Sequence, residues 1–189
     1  MTCIVGWIQD GDVYIGGDSA CSSGYDKKIQ AGNNTKVFQN GEMIFGSAGS
    51  IRLRQILEYS LVIPHHPVEK DTYQYLCTDF IDAVRICLKN KGHTKVKDNE
   101  ETQNGLFLLG YRRSLYRISY DFQVVELVWN YSAVGCAEDY ALGALYVLNK
   151  YAMDKTPEEK LTEALEVAST FSAYVSPPFK IIKLEKKEQ

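Results

Sequence analysis

The sequence predicts an α+β fold in layers, with two antiparallel sheets lying between helices. Three observations lead there. Short apolar runs with β-branched and aromatic residues are bounded by Gly-containing turns, near the start of the chain and again in its middle. Helical repeats occur in two separate pairs. The order is therefore strands, two helices, strands, two helices and a strand, and segregated runs of this kind mark α+β folds. The chain has 189 residues, 45% of them hydrophobic and 24% charged, with no linker, low-complexity block or internal repeat, so a single domain over residues 1–189 is expected.

Each element has its own signal. Residues 2–9, TCIVGWIQ, read as the first strand. Asp10-Gly11 is a tight turn, and VYIGGD returns as the second strand of a hairpin. A polar loop from Cys21 to Thr35 follows. KVFQ and EMIFGSA form a second hairpin around Asn40-Gly41. After GSAGS, Ile51, Leu53, Ile56 and Leu57 mark a helix. Prolines punctuate VIPHHP as a loop. Leu76, Phe80, Val84 and Leu88 recur every fourth residue and predict a helix from Asp71 to about Asn90. Residues 91–104 are polar and read as a mobile loop. Strands resume at GLFLLGY, SLYRISY, VVELVWN and YSAVG, and AEDYALGALYVLNKYA is helical. The next helix carries Thr156 at its N-cap, Pro157 in its first turn and Glu159 to complete a capping box. A last strand lies near FKIIKL.

Composition removes several function classes. The net charge of -3 supplies no basic field, so nucleic acid is not an expected partner. No apolar run approaches ~18 residues, so no membrane span is expected. The first residues lack the basic and long apolar regions of a signal peptide, and the five cysteines form no CxxC pair; a cytoplasmic protein with reduced thiols is expected. Cys77 and Cys87 read as core thiols of one helix. His65, His66 and His93 have no ligand-type neighbours at metal-site spacing, so neither a metal nor a cofactor is expected. Walker A, GxSxG and HExxH are absent. Thirteen tyrosines and two tryptophans suit a core and subunit contacts.

The chemistry centres on Thr2. An aminopeptidase removes Met1 readily before a small side chain, which leaves Thr2 with a free amine beside its own hydroxyl. Such an amine, with a reference pKa near 7.7–8.0, can serve as general base for that hydroxyl. Thr2 is also an ordinary strand residue. Asp18, however, ends the second strand of the hairpin that Thr2 begins, so the register brings the two ends together. Lys36 opens the strand KVFQ. Gly49 sits where a strand turns into a helix, a place that can present backbone N–H groups to an oxyanion. Singly these are a turn residue, a solvated charge and a corner glycine; their joint order is harder to explain that way.

With TCIVG, GGDS, TKVF, GSAGS and SAVGCAEDYALGAL, the chain resembles the proteasome β-subunit superfamily of N-terminal-nucleophile (Ntn) hydrolases, and looks most like its HslV-type peptidases. The resemblance runs in order from Thr2 to the last helices. It implies the four-layer αββα sandwich of the Ntn hydrolase fold and a threonine-type peptidase. Thr2 matches the nucleophile, Asp18 the acid that holds the lysine, Lys36 that lysine, and Gly49 the oxyanion donor. Cys21, Phe38, Ser47 and Ile51 align with the substrate pocket, which implies an apolar or small side chain beside the scissile bond. A homo-oligomer (ring or spiral), a polypeptide substrate and an ATP-dependent unfoldase partner are implied as well. The chain departs from the pattern in three places. Cys136 replaces a serine that assists the amine, Thr170 followed by Ser172 stands where an aspartate is usual, and the loop after Cys21 is about two residues longer. A thiol is the weaker hydrogen-bond partner, so a ring-forming scaffold without catalysis is the alternative. An amide other than a peptide would also suit the fold.

Overall fold

Three apolar layers stack through the molecule and separate four layers of secondary structure. The computed structural model of the chain describes residues 2–23, 26–29 and 35–186. Strands β1 (Cys3–Gln9), β2 (Asp12–Gly17), β12 (Tyr131–Gly135) and β13 (Lys180–Leu184) form one sheet in the order β12-β1-β2-β13. Strands β5 (Val37–Asn40), β6 (Met43–Gly49), β9 (Gly105–Tyr111), β10 (Ser114–Ile118) and β11 (Val124–Glu126) form the other, in the order β11-β10-β9-β6-β5. All pairings are antiparallel.

The period-2 alternation of β1 decides which side chain enters which layer. Ile4 points between the sheets and joins Val13, Ile15, Ile44, Leu108, Leu115 and Val134. Cys3, Val5 and Trp7 face the other way, onto Ala141 and Leu145 of α4 (Glu138–Tyr151) and Leu161, Ala164 and Leu165 of α5 (Pro157–Phe171). On the far side, Phe45, Phe107 and Leu109 meet Leu53, Ile56 and Leu57 of α1 (Ile51–Tyr59) and the helix that follows it. This is an αββα sandwich.

That following helix is one rod in three parts: α2 (Thr72–Tyr75), a π-helical turn (Leu76–Phe80) and α3 (Ile81–Asn90). Leu76, Phe80, Val84 and Leu88 are all fully buried. A strict repeat of four drifts around an α-helix of ~3.6 residues per turn, and a wider π turn takes up part of that drift. The capping box of α5 is formed: Thr156 Oγ1 accepts from Glu159 N (3.3 Å), and Glu159 Oε2 accepts from Thr156 N (2.7 Å).

Three expectations need correction. Residues 91–104 are no loop but a hairpin, β7 (Thr94–Lys97) and β8 (Glu100–Gln103). Asp98 and Asn99 both take positive φ (50° and 66°), which is the two-residue turn that such residues favour. Most of its side chains are exposed or half-buried, so no apolar alternation marks it. The polar stretch after Asp18 likewise contains a ribbon, β3 (Ala20–Ser23) with β4 (Asp26–Ile29); the rest of the expected Cys21–Thr35 loop lies outside the described residues. Cys77 is exposed rather than in the core, while Cys87 packs against it, and no cysteine is paired among the described residues. No helix among them is long and apolar enough to cross a membrane.

Candidate active site

The β1–β2 register, with Ile4 opposite Gly17, carries Asp18 to the start of β1. Asp18 N donates to Cys3 O (3.3 Å), and Asp18 Oδ1 accepts from Cys3 N (2.9 Å). The same oxygen accepts from Lys36 Nζ at 2.8 Å, while Oδ2 accepts from Ala20 N at 2.9 Å. The carboxylate is thus fixed by two backbone N–H groups and a cation, with 1% of the residue exposed. Lys36 reaches it from the residue before β5 and is itself buried. Burial holds its ammonium below the ordinary lysine range, against the upward pull of Asp18. The Cys3 thiol is pushed up to about 12, chiefly by burial and next by Asp18.

Thr2 is buried one residue away, and β12 holds it from the other side. Its carbonyl accepts from Cys136 N (3.0 Å), its N–H donates to Cys136 Sγ (3.4 Å), and the thiol donates back to Thr2 O (3.5 Å). Gly135 makes this approach feasible. Its φ is +114°, and a Cβ there would lie 2.2 Å from Thr2 O. Glu138, at the start of α4, accepts from Gly135 N at 3.1 Å.

A cleft of about 570 Å³ opens over Thr2, walled by Ala48, Gly49, Ser50, Asn104, Gly105, Leu106, Gly135 and Cys136. Gly49 (φ +126°) pairs with Gly105, and a Cβ on it would meet Gly105 Cα at 2.6 Å. Asn104, Gly105 and Leu106 form a wall that sequence reasoning missed; the Asn-Gly step before GLFLLGY was its only signal. A second cleft of about 640 Å³, at the opposite end of β6 and β9, is lined by Thr72, Tyr111, Arg112, Arg113 and Ser114 among others.

The structure thus brings Thr2, Asp18, Lys36 and Cys136 together and sets Gly49 on the cleft wall. The four residues expected to form the substrate pocket do not line this cleft. Cys21 is half-buried on β3, within electrostatic reach of Lys36. Phe38 is buried on the α1 side, stacked on Phe45 at 5.0 Å. Ser47 is buried, its N–H donating to Lys36 O (3.0 Å), and Ile51 is exposed at the start of α1. Thr170 Oγ1 donates to Glu166 O, and Ser172 Oγ accepts from Tyr174 N. His66 is engaged by Tyr111 Oη and Lys70 O, and among the described residues no three His, Cys, Asp or Glu side chains could together hold a metal.

No protein-family model and no curated protein matches the sequence. Solved structures do match in fold. BPH of Thiobacillus denitrificans in complex with epoxomicin is 20% identical with a TM-score of 0.81, over 99% of this chain and 100% of that one. HslV of Trypanosoma brucei is 16% identical with a TM-score of 0.67, over 97% and 99%. Anbu, the ancestral beta-subunit, of Yersinia bercovieri is 15% identical with a TM-score of 0.63, over 97% and 81%. The chain has the Ntn hydrolase fold of these proteasome-like subunits.

Proposed function

We propose that the chain is a threonine-type peptidase subunit of a proteasome- or HslV-like homo-oligomer. With Met1 removed, Thr2 Oγ1 attacks a peptide carbonyl in the cleft, and the Thr2 amine takes the proton. Gly49 N–H receives the oxyanion. The leaving amine takes a proton, an ester stays on Thr2, and water releases it. Lys36, held by Asp18, lowers the cost of the negative charge on the attacking oxygen. Cys136 orients the amine. A polypeptide delivered by an ATP-dependent unfoldase is the substrate this reading implies.

The observation that carries the proposal is the buried Asp18–Lys36 pair, tied to the backbone of the residue after Thr2. A buried lysine held by a buried aspartate is costly to fold around and gives little net stability, which suits a role in chemistry. The weaker hydrogen bonding of Cys136 favours one rival, a ring-forming scaffold without turnover.

Intact mass and an electrophilic proteasome-type inhibitor separate the two. Epoxomicin, bound by the Thiobacillus denitrificans protein, is a suitable first ligand. The proposal expects loss of Met1 and a covalent adduct on Thr2. A Met1-free sample that takes no adduct supports the scaffold.

A further inference from the structure

We infer that the Thr2 nitrogen and the Cys136 sulfur form a redox-closed N–S bond, a sulfenamide that locks the cleft when a hydroperoxide oxidises Cys136. The nitrogen lies 3.4 Å from Sγ and already points its hydrogen at it. Cys136 is exposed on the cleft wall, whereas Thr2 is 3% exposed. The oxidant therefore meets the sulfur from the open side and the nitrogen meets it from the interior. Gly135, which tolerates no Cβ beside Thr2 O, holds the two segments in this contact. The Lys36 ammonium is within electrostatic reach of the same sulfur.

The chemistry balances in two steps. Hydrogen peroxide transfers an oxygen to the Cys136 thiolate, giving the sulfenic acid and a hydroxide that takes up the proton the thiol had released and becomes the first water; the sulfur loses two electrons and the peroxide gains them. The Thr2 nitrogen then attacks the sulfur. The N–S bond forms, the S–O bond breaks, and the hydroxide leaves as a second water with the nitrogen's proton. A thiol reverses the closure: it takes the sulfur as a mixed disulfide and returns the proton to nitrogen, and a second thiol frees Cys136. Either an amine or a backbone nitrogen can perform the closing step. A serine at this position could not take part. Cys3, the nearest rival thiol by sequence pairing, is fully buried and has its pKa pushed up to about 12, so it offers little thiolate to peroxide.

The test is mass spectrometry of the full chain after hydrogen peroxide treatment and digestion without reductant. The expected product is about 2 Da lighter than the reduced chain, and its digest joins the Thr2 peptide to the Cys136 peptide. Dithiothreitol separates the two. The joined pair persists in Cys3→Ser and disappears in Cys136→Ser. Loss of the pair in Cys3→Ser identifies a Cys3–Cys136 disulfide and overturns the inference. So does a Cys136 that stops at an acid about 16 or 32 Da heavier with no joined peptide. This readout needs no turnover, so its failure is distinguishable from failure of the peptidase reading.

Discussion

The Lys36 ammonium rests 2.8 Å from the Asp18 carboxylate, and less than a tenth of either side chain meets solvent. Asp18 directly follows β2 and Lys36 directly precedes β5, strands of different sheets, so the pair ties the two sheets together at this end. Removing one partner leaves a buried charge, with a cost of about 3–5 kcal/mol. Asp18→Ala is expected to lower the denaturant midpoint markedly. Lys36→Met leaves Asp18 without its cation, but two backbone N–H groups still bind that carboxylate, so this variant should keep the fold better and still reduce hydrolysis by roughly 10²–10⁴-fold. Equal activity in Lys36→Met and wild type would contradict a role for the ammonium.

The pH profile follows from the direction of the Lys36 shift. Burial lowers its pKa from 10.5, and Asp18 partly opposes this. The charged form exists below the folded-state pKa, so hydrolysis falls as pH rises through it. The alkaline limb should therefore appear below 10.5. Asp18→Asn removes the upward pull and moves the limb lower still. A limb at or above 10.5 in the wild type, or an upward move in Asp18→Asn, contradicts this assignment.

Gly135→Ala places a methyl group 2.2 Å from Thr2 O at a φ of +114°. The backbone strain alone is on the order of 1–3 kcal/mol, and relief must come by pushing Thr2 or Cys136 away. Hydrolysis should fall more steeply than thermal stability. A variant that crosses the assay unchanged would mean that the Thr2–Cys136 contact is dispensable.

Cys136→Ser replaces a weak hydrogen-bond partner of Thr2 N with a stronger one. A gain of about 1 kcal/mol in orienting the amine corresponds to a rate rise of about fivefold, read as kcat with KM little changed.

Thr156→Ala removes one half of the α5 capping box. The expected loss is about 1 kcal/mol, or roughly 2–4 °C in Tm for a chain of this size, with no change in KM.

The parts of the molecule that were legible in the sequence are those where burial forces a pattern. The hairpin from Thr2 to Asp18 is legible because a one-residue slip would turn Cys3, Val5 and Trp7 away from α4 and α5 and into the inter-sheet layer that Ile4 fills, so the register and the Asp18 position come with it. Thr156 and Glu159 announce α5 through local hydrogen bonds alone. The β7–β8 hairpin escaped notice because it buries little, and polar strands carry no alternation. The Gly49–Gly105 wall escaped for a different reason: it joins residues far apart in the chain, and neither glycine states which partner it makes room for. The same holds for Phe38, whose ring serves the α1-side core and not the cleft.

The central claim is that the Thr2 hydroxyl is the nucleophile. The most direct measurement is hydrolysis of a fluorogenic peptide by the Met1-free chain, with Thr2→Ala and Thr2→Ser purified the same way and shown to be folded. The account predicts turnover in the wild type, residual turnover in Thr2→Ser and loss of at least about 10³-fold in Thr2→Ala. Hydrolysis by Thr2→Ala at the wild-type rate would contradict it.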